Sequence, residues 1–154
     1  MNPGQEASGK LVTVVRNQAK QLARDNDSGY ILIDGSPGIG CPVIASIGGV
    51  DLVLVVTEPT VSGIHDLERI LAVTRHFNVP ASVCINKADI NQGKAGEIRD
   101  YCADEDVKVA GEIPYDLSFT RAQIKGTTVM ESGSDNLKKM MRDLWNEVYD
   151  SLRQ

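Results

Sequence analysis

The sequence predicts an α/β protein with a parallel sheet and helices on both faces. Short apolar runs of strand length alternate with longer segments whose apolar residues follow helical spacing. Polar or glycine-rich residues follow each apolar run, and no low-complexity linker interrupts the alternation. A chain of 154 residues can form one core, so we expect a single domain over residues 1–154.

The composition is that of a globular protein without a basic surface. Apolar residues make up 42% and charged residues 24%, and the formal net charge of -5 argues against extended nucleic-acid binding. The longest apolar runs are too short to cross a membrane and no signal pattern opens the chain, which favours a cytoplasmic location. Three widely spaced cysteines without a CxxC pair predict reduced thiols, and no cluster or metal site built by this chain alone.

The elements of the first half are predicted from periodicity and breakers. Helical spacing covers 8–24, and the Asp- and Gly-rich residues that follow end that helix. A buried strand is predicted at 30–33, a brief helix that begins with proline at 42–47, and a second buried strand at 52–57.

The second half continues the alternation. Ser62 is the predicted cap of a helix that ends before Pro80. The elements predicted after it are a strand at 81–85, a helix at 94–103, a strand at 107–113, a short helix at 117–124 and a last helix from Asp135. We expect the last helix to bury one apolar stripe, formed by Leu137, Met140, Met141, Leu144, Trp145, Val148 and Leu152.

Ligands of parallel sheets bind outside the carboxyl ends of the strands, so the loops there are the predicted site. Residues 34–40, called the switch loop below, contain three glycines after Asp34. Asn86-Lys87-Ala88-Asp89 matches the NKxD pattern, in which the Asn amide bonds a purine and the Lys stem covers the ring. Each motif alone could be an ordinary strand-end turn.

The order of these two motifs resembles that of P-loop NTPases. Asp34 would hold Mg²⁺, through a water molecule, and the Gly38 amide would sense the terminal phosphate. A second phosphate-loop pattern, GxxxxGK at 4–10, is rejected because no strand precedes it and Leu11 occupies the position of the metal-binding hydroxyl. We interpret that pattern as the start of the first helix.

Four segments, 34–44, 57–69, 86–89 and 113–116, resemble the MinD/ParA superfamily of ATPases. The chain is most similar to the branch with an inserted ferredoxin-like domain that carries two 4Fe-4S clusters. The resemblance implies ATP and Mg²⁺ as cofactors of the complete domain, with a deviant Walker A loop and the cluster-binding insert expected upstream of Met1. It assigns Asp34 as the Walker B aspartate, Gly38 as the switch II glycine, Asn86 as the adenine-reading residue, and Pro114, Tyr115 and Asp116 as the loop beside the base.

The resemblance also implies a missing strand between the predicted strands 30–33 and 52–57. Because unpaired central edges are costly, we expect these two strands to close together or another chain to fill the groove. A homodimer or a missing amino-terminal half is therefore the expected protein partner. Without a phosphate cradle the chain is expected to show no turnover, although the parent protein would be a Mg-dependent ATPase.

Two alternatives remain open at this point. Asp89 completes NKxD and could bond guanine, which would make the parent a GTPase, although no Ser-Ala-Lys-like loop follows the next strand. The chain could also be a non-catalytic module that dimerises through the nucleotide edge, or a relative of the cobyrinic acid amidating enzymes.

Overall fold

Strands and helices alternate over residues 53–125, as the sequence predicts for that part of the chain. The computed structural model describes residues 3–153, with side chains from residue 9 onward. In order, the elements are α1 (Pro3–Asp25), α2 (Cys41–Ile47), β1 (Val53–Thr57), α3 (Val61–His76), β2 (Ala81–Asn86), α4 (Gln92–Asp104), β3 (Lys108–Ile113), α5 (Leu117–Lys125), α6 (Val129–Ser132) and α7 (Asp135–Ser151). Among the described residues, no helix is both long and apolar enough to span a membrane.

The sheet has three parallel strands in the order β1-β2-β3. Val55 of β1 is in register with Val83 of β2, and the β2–β3 pairing shifts by one residue after Val83. One face of the sheet carries a core built with α3 and α4, which contains Leu67, Leu71, Val83, Ile85, Ala95 and Ile98. The other face packs on α5 and α7 through Cys84, Ala110, Ile113, Ala122, Leu137, Leu144 and Val148. Helices therefore cover both faces, and the predicted fold class is confirmed.

The predicted strand at 30–33 is wrong: in the structure this segment, called the unpaired segment below, forms no strand. Leu32 is 89% exposed, so the apolar side chains of the segment are largely uncovered. The Tyr30 ring instead packs edge-on against Trp145, with ring centroids 6.1 Å apart, and against Tyr149. A strand needs a neighbour that accepts its backbone hydrogen bonds, and the described residues supply none here. The expectation that the segment closes onto β1 is therefore also wrong.

The last helix buries a narrower stripe than predicted. Leu137, Leu144 and Val148 are buried, but Trp145 is 46% exposed and Leu152 also reaches solvent. The three-stranded sheet is too narrow to cover all the apolar positions of this helix, and Trp145 lies over Tyr30 instead.

Helix α1 contains the rejected GxxxxGK pattern, which therefore lies on a helix and follows no strand in the described range. The helix packs on α2, where the Arg16 guanidinium donates to the carbonyl oxygens of Ala45 and Gly48 at 2.5 and 2.7 Å. The last carbonyl groups of a helix have no hydrogen-bond partner within the helix. Arg16, from α1, supplies donors to these carbonyls and so caps the carboxyl end of α2.

Candidate functional site

The loops after β1 and β2 are joined by an ion pair at the carboxyl edge of the sheet. Lys87 Nζ lies 2.6 Å from Glu58 Oε1. Lys87 has a φ of 55°, in the left-handed region that side chains other than Gly, Asn and Asp rarely adopt. The turn after Asn86 is thus held in an uncommon backbone conformation while the lysine stem crosses toward the β1 loop.

Two hydrogen bonds join the loops after β2 and β3. The Ala88 amide donates to the Ile113 carbonyl at 3.0 Å. The Tyr115 amide donates to Asp89 Oδ1 at 2.6 Å. The loops after β1, β2 and β3 are therefore fastened to one another.

Asn86 ends β2 with a half-buried side chain. Among the described residues its amide makes no side-chain hydrogen bond, so it keeps its donor and acceptor capacity. In the loop after β3, Pro114 is half-buried and the Tyr115 ring is exposed. The site thus offers a polar amide and an exposed aromatic ring.

Asp116 acts on the backbone of its own helix. Its Oδ1 accepts from the Ser118 amide at 2.7 Å, so the side chain caps α5. The hydrogen bonds from the backbone and side chain of Ser118 lower the pKa of this carboxyl, because they stabilise its ionised form. The carboxylate predicted to flank a base is thus already committed to a structural contact.

The Asp116 cap is expected to fail in acid. Because the folded-state pKa is lowered, the stabilisation is present above the ordinary value of 3.8 and is lost as pH falls through the folded-state pKa. An NMR titration should show the Ser118 amide proton moving upfield in that acid range. Asp116→Asn keeps an acceptor oxygen and should remove the transition, whereas Asp150→Asn on α7 should leave it in place. A Ser118 transition that persists in Asp116→Asn would contradict this role.

The switch loop is not joined to these loops. Asp34 and Gly38 are both exposed, and within residues 3–153 no hydrogen bond or ion pair links Asp34 to the loops after β1, β2 or β3. Gly38 has a φ of 88°, a conformation that favours glycine. The described residues contain no group of three or more His, Cys, Asp or Glu side chains able to hold a metal ion. Asp34 is a single exposed carboxylate, and at such a residue Mg²⁺ keeps most of its water ligands and depends on the phosphates of a bound nucleotide, so the Mg²⁺ role of Asp34 stays a prediction.

Sequence reasoning missed the part that Gly63 plays in shaping the β1 loop. The Gly63 amide donates to Thr60 Oγ1 at 2.9 Å, so Thr60 caps α3 and the predicted cap at Ser62 is wrong. Thr57 Oγ1 donates to the Gly63 carbonyl at 2.9 Å. A Cβ atom on Gly63 would collide with the carbonyl oxygen of Glu58. The signal in the sequence was a glycine in the first turn of a helix, where it lowers helix propensity and needs a packing reason.

Solved structures share this fold. The chain superposes on the MinD cell division protein of Aquifex aeolicus with a TM-score of 0.70 and 20% identity, covering 86% of this chain and 59% of that one. It superposes on apo McdA of Cyanthece with a TM-score of 0.74 and 20% identity, covering 94% of this chain and 63% of that one. The chain therefore has the fold of MinD/ParA-type P-loop ATPases.

Curated relatives match nearly the whole chain. Uncharacterized protein MJ0578 of Methanocaldococcus jannaschii is 28% identical over 151 residues, which is 98% of this chain and 48% of that protein. Uncharacterized protein MJ0579 of the same organism is 27% identical over 96% of this chain and 48% of its own length. The chain thus spans about half the length of the curated relatives it matches. No protein-family model matches it.

Proposed function

We propose that this chain is the base-binding portion of an adenine-nucleotide-binding domain of the MinD/ParA type. The observation that supports this function best is the fastening of the β2 loop to both neighbours, through Lys87 to Glu58 and through Asp89 to Tyr115. These contacts fix the backbone around Asn86, whose amide remains available to a ligand. A preorganised amide at the carboxyl edge of a parallel sheet suits recognition of a purine edge.

The contacts of Asp89 favour adenine over guanine. In an NKxD site that reads guanine, both carboxylate oxygens would be turned toward the base. Here one oxygen of Asp89 accepts from the Tyr115 amide at 2.6 Å, which orients the carboxylate toward the β3 loop. Adenine lacks the adjacent ring N1–H and exocyclic N2–H donors of guanine, so its binding makes no demand on this carboxylate and does not compete with the Tyr115 bond. Guanine would have to share this carboxylate with the Tyr115 amide.

The phosphates of the nucleotide would find little support on this chain alone. The loops after β1 and β2 carry Glu58 and Asp89, and the lysine among these loops, Lys87, is already paired with Glu58. Phosphoryl transfer depends on cationic and backbone donors around the transferred group. We infer that the chain binds the base weakly, shows no turnover by itself, and needs a homodimer partner or a complementing half to form a full ATPase linked to an iron-sulfur module.

Nucleotide titration followed by NMR tests this function. Adding ATP to about 10 mM, where even a millimolar Kd gives near saturation, should shift the amide resonances of 86–89 and 114–116. GTP at the same concentration should shift them less. Asn86→Ala should weaken ATP binding by about tenfold, which corresponds to the loss of one or two hydrogen bonds to the base.

Asn136→Ala is the matched control, because Asn136 is an exposed asparagine on α7 and should not alter binding. Equal or larger shifts with GTP would favour the GTPase alternative. An absence of shifts in these loops, together with a nucleotide-independent dimer in light scattering, would favour the non-catalytic interaction module. Mg-dependent phosphate release by the purified chain would contradict the predicted lack of turnover.

A further inference from the structure

The ion pair between Lys87 and Glu58 differs in position from every other ion pair among the described side chains. It joins two loops that follow strands, whereas each of the others has at least one partner in a helix. Both side chains are partly exposed, at 36% for Lys87 and 42% for Glu58. Exposed ion pairs contribute little to the free energy of folding, so stability gives little reason for this one. Its place at the candidate site points to a role in binding.

The loop after β1 holds Glu58 in one backbone position. The Thr60 amide donates to the Glu58 carbonyl oxygen at 2.8 Å. The same carbonyl packs so closely on Gly63 that a Cβ atom there would collide with it. Pro59, whose ring restricts the backbone at the next position, is buried. The Glu58 carboxylate therefore extends from a rigid support.

Lys87 is held at both ends of its side chain. Its backbone has a φ of 55° and lies in a turn, in which the Ile90 amide donates to the Lys87 carbonyl at 3.1 Å. Its ammonium lies 2.6 Å from Glu58 Oε1. The methylene stem between these two points runs from the loop after β2 to the loop after β1. A lysine stem held in this way presents an apolar surface at the sheet edge where Asn86 ends β2.

The charges of these loops favour a neutral ligand over a polyphosphate. The described loops after β1, β2 and β3 carry one basic residue, Lys87, and three carboxylates, those of Glu58, Asp89 and Asp116. The net negative charge repels phosphate groups and leaves a neutral ligand unaffected. A purine nucleoside needs a flat apolar contact and hydrogen-bonding groups at the base edge. The Lys87 stem and the Asn86 amide can supply these.

We propose that Glu58 is a positioning residue of the base site, which holds the Lys87 stem against the base and keeps the Lys87 ammonium away from phosphate. The ligand class of this chain is then the nucleoside portion of an adenine nucleotide, with no contribution from the phosphates. This inference rests on the proposed function, since it requires the base to bind beside Asn86. Holding the lysine before the ligand arrives lowers the side-chain entropy lost on binding, which raises affinity.

Adenosine is the probe, because it is neutral and carries the base without phosphates. Followed by the amide shifts of 86–89, adenosine and ATP should bind the natural chain with dissociation constants within about threefold of each other. Glu58→Gln should weaken adenosine binding by about fivefold, since the lysine stem is no longer held. Glu147→Gln is the matched control and should bind adenosine as the natural chain does. Glu147 pairs with Lys108 at 2.5 Å with similar exposure, at the opposite edge of the sheet.

Two further measurements separate positioning from a general effect on folding. At about 1 M salt the screening length falls to about 3 Å, which weakens the ion pair. The adenosine affinity of the natural chain should then fall by about threefold, and that of Glu58→Gln should not change. The second measurement is a double-mutant cycle with Lys87→Met, which keeps an apolar stem and removes the ammonium. The double variant should bind adenosine no more weakly than Lys87→Met alone, because Glu58 acts through Lys87.

Three results would contradict the proposal. Equal adenosine affinity of the natural chain and Glu58→Gln would remove the positioning role. Losses that multiply in the double variant would show that Glu58 acts without Lys87. ATP binding more than about tenfold tighter than adenosine binding would overturn the assigned ligand class. Urea unfolding of Glu58→Gln and Glu147→Gln should give similar midpoints, so that a loss of binding in Glu58→Gln is not a loss of folded protein.

The proposed function fails by a different result. If neither adenosine nor ATP shifts the resonances of 86–89 in the natural chain, the base site itself is wrong, and the role of Glu58 falls with it. If both ligands bind the natural chain and Glu58→Gln equally well, the proposed function stands and only the role of Glu58 is wrong. Adenosine binding that weakens in Glu58→Gln and stays unchanged in Glu147→Gln supports both.

Discussion

Replacing Gly63 by alanine is expected to lower the free energy of unfolding by about 2–3 kcal/mol. The added Cβ would collide with the carbonyl oxygen of Glu58 and would lie 3.1 Å from Thr57 Oγ1 and from Thr60 Oγ1. The carbonyl belongs to the backbone, so it cannot rotate away as a side chain would. Either α3 or the β1 loop must move, and the Thr60 cap and the Thr57 hydrogen bond would be strained. Urea unfolding followed by circular dichroism measures the loss.

Gly96→Ala is the matched control for this substitution. Gly96 lies inside α4, and the nearest atom to an added Cβ is Arg99 Nη2 at 3.9 Å, the end of a flexible side chain. Alanine is the better helix former, so this variant should be neutral or more stable by up to about 1 kcal/mol. Similar losses in both variants would show that the close approach to Glu58 does not limit position 63.

Gly63→Ala should also disturb the candidate site. Glu58 is paired with Lys87, and the β1 loop that carries Glu58 is shaped by Gly63. A displaced β1 loop would weaken this ion pair and loosen the turn after Asn86. We therefore expect Gly63→Ala to reduce the ATP-induced shifts of 86–89 under conditions where the variant is still folded.

The parts of the fold that the sequence predicts well are those with a strong local signal. Strands predicted at 52–57 and 81–85 form β1 and β2 within one residue at either end, because each apolar run is bounded by turn residues. The helix predicted at 117–124 is confirmed as α5, which Gly126 ends in a left-handed conformation. At these positions the apolar pattern and the residues that end strands and helices predict the same boundaries.

The failures arise where a partner decides the outcome. An apolar run at 30–33 signals burial, but whether it becomes a strand depends on a neighbour that the described residues do not contain. The exposure of Trp145 has a related cause, since the width of the sheet, not the helical period, sets how much of α7 is covered. Helix α6 was missed even though Thr128 and Glu131 spell its capping box, because four residues are too few for a periodic signal.

The sequence predicts that the loops after β1, β2 and β3 share one edge, but it does not predict the contacts between them. The order of the strands is enough to bring the loops after β1, β2 and β3 to one edge. Sequence cannot show that Asp89 and Asp116 accept hydrogen bonds from backbone amides. An aspartate that binds a ligand and one that stabilises a loop look identical in the sequence. The Asp89 bond is the observation on which the proposed preference for adenine rests, whereas the Asp116 bond caps α5.

Leu67→Ala is expected to cost about 3–5 kcal/mol of the free energy of unfolding, the largest loss predicted for a single side chain here. Leu67 is 1% exposed and packs in the core between the sheet and α3 with Val55 and Leu71. Removing it leaves a cavity in close-packed surroundings, so lost contacts add to the lost burial. Because Leu67 packs α3 against β1, the cavity also weakens the packing that supports the loop after β1.

Leu22→Ala makes the same chemical change on α1, where the side chain is 61% exposed. It should change the free energy of unfolding by less than about 0.5 kcal/mol, since no cavity forms and alanine favours the helix. The difference between the two variants in urea unfolding therefore isolates the contribution of burial. If they differed by less than about 1 kcal/mol, the packing of α3 on β1 described here would be incorrect, and with it the position of Glu58 beside Lys87.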